Sequence, residues 1–258
     1  MRQETKSWFD VLWGAGALCA LVSMGFATGC NPDPGPSEST PNYKSVGDPD
    51  EEGNPQPSSS ERGNMMITEI GWAGSVTDDG VHDPDDVFIE IQNKNPRPVN
   101  MHNWRLIFEG DIIRTIRLVP QEGEPDLEPV APNDFFVIAA KKDGAFGERA
   151  DLILPDLELG KTYIHLELRD ADRRLMEGAG SDSERIFTGG WDTYSTRSME
   201  RVQIIFGNQG GMSRNWHAYS EDVGHPNIAE GYRQRTLASP GDANSQDYSG
   251  SATAGGFE

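Results

Sequence analysis

Between Asp78 and Asp86 the chain places five carboxylates and one imidazole in nine residues: Asp78, Asp79, His82, Asp83, Asp85 and Asp86. Hard oxygen donors at that density suit a calcium ion, yet the spacing lacks the alternation and the closing glutamate of an EF-hand loop. Like charges so close also describe a solvated, self-repelling loop, and the residues alone leave both readings open. The five histidines (His82, His102, His165, His217, His225) include no pair at H-E-x-x-H spacing, and no G-x-S-x-G elbow occurs. Gly178-Ala179-Gly180-Ser181 lacks the lysine of a phosphate-binding loop. With 42 acidic residues, carboxylate pairs of the glycosidase kind arise from composition alone, and only geometry selects one. Trp191, Tyr194, Trp216, Tyr219 and Tyr232 lie among Gly, Ser and Asn in the second half. Aromatics in such loops either stack on sugars or a protein partner, or cover the core. No catalytic residue, metal ligand or cofactor site is assigned.

The charge balance narrows the partners. Lys and Arg number 22 against 42 Asp and Glu, a formal net charge of -20 in 258 residues. Nucleic acid is excluded as a partner, because phosphate contacts need a basic face to release counterions. The same balance disfavours simple electrostatic adhesion to an anionic bilayer. Two cysteines are too few for a disulfide scaffold or a four-cysteine zinc site.

The first 29 residues read as an export signal rather than as part of a folded domain. Arg2 and Lys6 precede an uncharged apolar run from Val11 to Ala27, and small residues lead into Cys30. Cys19 would leave with the signal, so Cys30 would be the lone thiol of the mature chain, which implies a free thiol, an intermolecular bridge or a modification. The segment resembles a bacterial lipoprotein signal, with Ala27-Thr28-Gly29-Cys30 at the lipobox and Ala27 where leucine is usual. The resemblance implies a diacylglyceryl group on Cys30 and a place in the bacterial cell envelope. Asn31 lacks the aspartate that enterobacteria read as inner-membrane retention, which favours the outer membrane. Ordinary signal cleavage without lipid, and an uncleaved single-span anchor, are the alternatives.

A tether follows. Residues 30–63 hold seven prolines, six serines and four glycines, with seven acids against Lys44 and Arg62. Such a segment buries too little apolar surface to offset its ordering entropy, so the composition predicts a disordered spacer. Residues 245–258 are Gly-, Ser- and Ala-rich and are expected to fray.

Residues 64–244 show short strands with turns. Met65–Trp72 opens the domain, and Val87, Ile89 and Ile91 alternate with Glu90 and Gln92, the period of a strand with one face in a core. Trp104–Phe108 and Ile112–Val119 flank a hairpin turn at Glu109-Gly110-Asp111. Phe135–Ala140, Tyr163–Arg169, Arg174–Glu177 and Met199–Phe206 complete the series, and Gly178–Arg197 reads as a long irregular stretch. Seven or more strands at this spacing predict an all-β sandwich.

Several of these stretches carry a family resemblance. Ile67-Thr68-Glu69-Ile70, Phe88-Ile89-Glu90-Ile91-Gln92-Asn93, Asn103-Trp104-Arg105-Leu106, Ser198-Met199-Glu200-Arg201, Trp216 and Ala238-Ser239-Pro240-Gly241-Asp242-Ala243-Asn244 resemble the ordered motifs of a lamin-tail domain. The resemblance covers about Met65 to Asn244. It implies an immunoglobulin-like β-sandwich used as a non-catalytic attached module, with a protein or surface-glycan partner. From the residues, Pro240 and Gly241 suit a type II turn, and Trp104 is large enough to fill a sandwich interior. Glu90 has three roles open to it: facing solvent, pairing with Arg105 or Arg201, or holding a neighbouring loop. The alternative function is a lipid-anchored hydrolase that uses carboxylates, with calcium in the Asp78–Asp86 loop.

Overall fold

The computed structural model describes residues 63–202 and 210–248, all within the unit Tyr43–Glu258. The chain contributes fifteen strands and one 3-10 turn (Ser213–Asn215), and no α-helix occurs among the described residues. The first strands are β1 (Met65–Gly71), β2 (Ser75–Val76), β3 (His82–Asp83), β4 (Phe88–Asn93) and β5 (Arg105–Gly110). Next come β6 (Arg114–Arg117), β7 (Phe135–Ala139), β8 (Leu152–Ile153), β9 (Ile164–Arg169) and β10 (Leu175–Ser181). The last are β11 (Gly190–Trp191), β12 (Thr196–Arg197), β13 (Met199–Arg201), β14 (Trp216–Ala218) and β15 (Thr236–Leu237).

These strands form an all-β sandwich. A six-stranded sheet in the order β14-β13-β1-β4-β7-β8 faces a four-stranded sheet in the order β10-β9-β5-β6. The alternation that marks the strands explains the interior. Ile67, Ile70, Ile89 and Ile91 from the first sheet meet Leu106, Phe108, Leu166 and Leu168 from the second, around a Trp104 that is wholly buried. Burying side chains of this size contributes about 1.5–3 kcal/mol each.

The six-stranded sheet departs from the expected pattern of one buried face. Every residue of β4 is buried, including Phe88, Glu90 and Gln92, which point away from the main core. Phe88, Val137 and Ala139 on that second face pack under Phe146, Ile228 and Ala238, forming a smaller apolar cluster. The rest of this face is covered by the chain after β15.

Three segments also depart from the sequence reading. The acidic loop supplies β3, which pairs with β2 just before the loop to form a small hairpin. The stretch expected to be irregular after Glu177 continues β10 to Ser181 and then supplies β11 and β12, which join β15 in a third sheet. Glycine obscured the extension of β10, and packing requires it, since a Cβ at Gly180 would lie 2.0 Å from the Ile164 carbonyl oxygen. The strand expected over Met199–Phe206 is described as far as Arg201, and residues 203–209 lie outside the described residues.

Candidate functional sites

Pairing register brings three glutamates into one row. Glu69 on β1 lies opposite Glu200 on β13 and opposite Glu90 on β4, with His217 of β14 beyond Glu200. A β-bulge between Ile67 and Glu69 sets Thr68 and Glu69 together against Glu90. All three carboxyls are fully buried. Buried polar groups must be hydrogen-bonded to persist, and a strap of chain from Ser239 to Ser245 supplies the donors.

Ser239 donates its backbone N–H to Glu69 Oε1 at 2.9 Å, and its hydroxyl lies 2.5 Å from Glu200 Oε1 and 3.2 Å from Glu69 Oε2. Gly241 N–H reaches Glu90 Oε2 at 2.6 Å, and Thr68 Oγ1 donates to Glu90 Oε1 at 2.6 Å. Ser198 donates to Glu69 at 2.5 Å, while Ser245 gives Glu200 its N–H at 3.1 Å and its hydroxyl. Asn244 ties the strap to the strands through the carbonyls of Thr68 and Arg201, at 3.0 and 2.9 Å. Ser239 has one hydroxyl proton for two carboxylate oxygens, so both contacts are satisfied only when a carboxyl supplies a second. Burial pushes all three acids upward, Glu90 to about 8, and the neighbouring glutamates add to the shift at Glu69.

Glu90 therefore takes the third of the roles open to it. It holds the Gly241 loop, while Arg201 pairs with Glu177 at 3.2 Å and sits against the Trp216 ring. The expected type II turn is present: Gly241 has φ 77, and Asp242 N–H returns to the Ser239 carbonyl at 3.1 Å. Ser245, placed by composition in the fraying tail, belongs to the strap.

The acidic loop spends its charges separately. Asp78 accepts the Gln234 N–H at 2.8 Å, Asp79 accepts the Thr77 hydroxyl, and Asp83 pairs with Lys141 at 2.6 Å. Asp86 turns inward to Ser75 Oγ at 2.6 Å and Ala145 N–H at 2.7 Å, and burial raises its pKa. Among the described residues no three His, Cys, Asp or Glu side chains converge as a metal site.

A cavity of about 350 Å³ lies beside this loop, with Asp156 and Glu158 in its wall. Its cations are engaged: Arg114 pairs with Asp156 at 3.2 Å, and Lys161 donates to the carbonyls of Trp72 and Pro84, both at 2.7 Å.

His82 has a different use. Its ring stacks on Trp191, with centroids 4.2 Å apart and planes 15° from parallel. Beside it the Arg235 guanidinium covers the Tyr194 ring at 4.3 Å. Trp191 is 49% exposed and Tyr194 58%, whereas Trp216 and Tyr219 are buried. The five loop aromatics thus divide, with Tyr232 packed against the smaller apolar cluster.

The tip that carries the exposed pair is fixed tightly. Asp192 accepts the N–H groups of Tyr194 and Ser195 at 2.9 and 2.7 Å, contacts that hold its carboxyl below the usual range. Thr193 sits at φ 75, a region that β-branched residues rarely occupy. Strain of this kind persists only where the surroundings impose it, and it concentrates at functional positions. The result is a rigid aromatic ledge built by the 77–83 loop, the β11–β12 hairpin and Arg235.

Sequence reading singled out Trp191 and Tyr194 but missed His82 and Arg235 as their supports. It read Glu90 and overlooked Glu69 and Glu200, each of which interrupts an apolar strand pattern. Cys30 lies outside the described residues. No protein-family model matches the chain, and no curated protein sequence matches it.

Proposed function

We propose that this chain is a non-catalytic, lipid-anchored module of the bacterial cell envelope. Its anchor is a diacylglyceryl group on Cys30, and its lamin-tail-like domain offers an aromatic ledge to a protein or surface-glycan partner. The observation that carries the display role is the ledge itself: two half-exposed aromatic rings held flat by His82 and Arg235 on a strained hairpin. Rigid aromatic faces give contact area at little entropic cost on binding.

The lamin-tail reading gains support from convergence. The stretches around Glu69, Glu90, Glu200 and Ser239–Asn244, far apart in the sequence, meet as one hydrogen-bonded unit. The hydrolase reading loses its main material, because these carboxyls are sealed beneath the strap and four of the five loop acids are bound one by one.

Mass spectrometry of the amino-terminal peptide from membrane-extracted protein tests the anchor. A diacylglyceryl-modified Cys30 with residues 1–29 removed is expected, and an unmodified Cys30 or an intact Met1 overturns it. Trp191→Ala tests the ledge. It is expected to abolish binding of isolated surface polysaccharide or crosslinked partner while shifting stability by less than about 0.5 kcal/mol, as at other surface positions. Unchanged binding removes the ledge from the function.

A further inference from the structure

The net charge of -20 hides a segregation that register makes visible. On the outward face of the four-stranded sheet, Arg105 on β5 lies directly opposite Arg117 on β6 and Arg169 on β9. Like charges directly opposite one another destabilise a sheet. Arg169 is answered by Glu167 at 2.6 Å. Arg105 reaches only the Ala171 carbonyl, at 3.2 Å, and Arg117 only the Asn103 side chain, at 2.5 Å. Burial, then Arg173 and Arg117, press the Arg105 guanidinium below its usual range, with the Asp170 carboxylate opposing them.

Arg173 adds an independent sign. It occupies φ 70 in the β9–β10 turn, closed by its N–H to the Asp170 carbonyl at 2.9 Å. Glycine or asparagine suits that conformation, and an arginine there carries strain. Among the described residues no carboxylate pairs with Arg105, Arg117 or Arg173, in a chain with nearly two acids per base. Half-buried Lys94 and exposed Arg97 stand at the same end, beside Asn64. Among the described residues the acids there include Glu167 on Arg169, Glu177 on Arg201, Asp170 and Asp172 on Arg174, and Asp134 at the start of β7.

This is also the end at which the chain enters the domain. Gly63 N–H bonds to the Met176 carbonyl at 2.8 Å, one residue beyond Leu175, which pairs with Arg169. The aromatic ledge and its acids lie at the other end of β1. A seven-residue strand such as β1 spans about 23 Å. That exceeds twice the Debye length of roughly 8–10 Å in physiological salt, so a surface touching the arginine end is screened from the acids around the ledge.

We propose that the arginine end docks on the phosphate-bearing headgroups of an anionic bilayer, which stands the domain upright with its aromatic ledge directed away from the membrane. The proposal rests on the lipid anchor proposed above. Two features select this occupant: the charge complementarity of the end, and the arrival at that end of the segment leading from Cys30. It also refines the composition argument against bilayer adhesion, which averages over both ends.

The test uses the chain from Cys30 onward, coupled through that thiol to a maleimide lipid in vesicles of phosphatidylcholine, with or without phosphatidylglycerol. Hydrogen exchange of residues 169–175 is expected to slow on the anionic vesicles alone and to recover in high salt. The triple variant Arg105→Gln, Arg117→Gln, Arg173→Gln is expected to weaken docking on the order of 100-fold with a urea midpoint no lower than that of the parent chain. Arg185→Gln, remote from this end, leaves docking intact. Equal exchange on both vesicles, or protection that survives the triple variant, overturns the proposal. So does equal protection by inorganic phosphate without vesicles, which would assign a free-anion site instead. Chemical coupling installs the anchor, so failure here is distinct from failure of the anchor reading, which the native amino-terminal mass decides.

Discussion

Each sheet of the sandwich carries a row of three like charges across adjacent strands, and the two rows are treated in opposite ways. Glu200, Glu69 and Glu90 are sealed under a strap that supplies backbone and hydroxyl donors. Arg117, Arg105 and Arg169 stand uncovered, with one carboxylate among them. A charge row is a liability to a sheet unless something answers it. The chain answers its acidic row from within, and that row is part of the fold. The basic row is answered from within by a close ion pair at Arg169 and otherwise stays open, which is why it reads as a surface awaiting an anion.

The largest expected effect comes from breaking the acidic row's cover. Gly241→Ala forces an L side chain into φ 77 and places its Cβ 1.8 Å from Arg149 Nε. Loss of about 2–3 kcal/mol is expected in urea unfolding, and a loss below half of that would mean the strap is not needed. The second effect is pH dependence. Burial raises Glu90 from 4.5 to about 8 in the folded state, with the Thr68 and Gly241 hydrogen bonds and Arg149 opposing and Glu200 reinforcing the shift. The native state therefore keeps a proton that the unfolded chain releases. This contribution to stability is fully present below about pH 4.5 and is lost as pH rises through 8, at up to about 1.4 kcal/mol per unit per group. Urea midpoints that rise over this window would contradict a protonated row.

Glu90→Gln sharpens the same point. An amide keeps an acceptor for Gly241 N–H and has no proton to lose, so the slope between pH 5 and 8 should flatten while the fold persists. On the basic row the sign reverses. Arg173→Gly removes strain and a like charge, and a gain of about 0.5–1 kcal/mol is expected, measurable as a higher melting temperature. Arg105→Gln should give the smallest effect, a stabilisation that fades in high salt as screening removes the repulsion. Destabilisation by both arginine variants at every salt concentration would erase the contrast between the rows.

Much of the sandwich is legible in the sequence, because strands such as β4, β7 and β9 carry the alternation or apolar run that a buried sheet demands. Two-residue strands such as β2, β8 and β12 carry no period and were invisible. The Ser239–Asp242 turn was legible for a different reason, since Pro followed by Gly restricts the backbone locally. Both charge rows were hidden because they exist only in register. Arg105, Arg117 and Arg169 are ordinary outward residues along their own strands, and only pairing makes them neighbours. Trp191 and Tyr194 were noticed as loop aromatics, but burial alone separates them from Trp216 and Tyr219.

The strap also sets an order on synthesis. Ser239 follows Glu69 by 170 residues, so the first acid of the row is made long before its cover. A growing or prematurely terminated chain can own nearly every strand of both sheets and still present three carboxylates that lack the strap's donors and keep those of Thr68 and Ser198. The Ser239–Asp242 turn is thus the step of synthesis that converts an open acidic row into a concealed one.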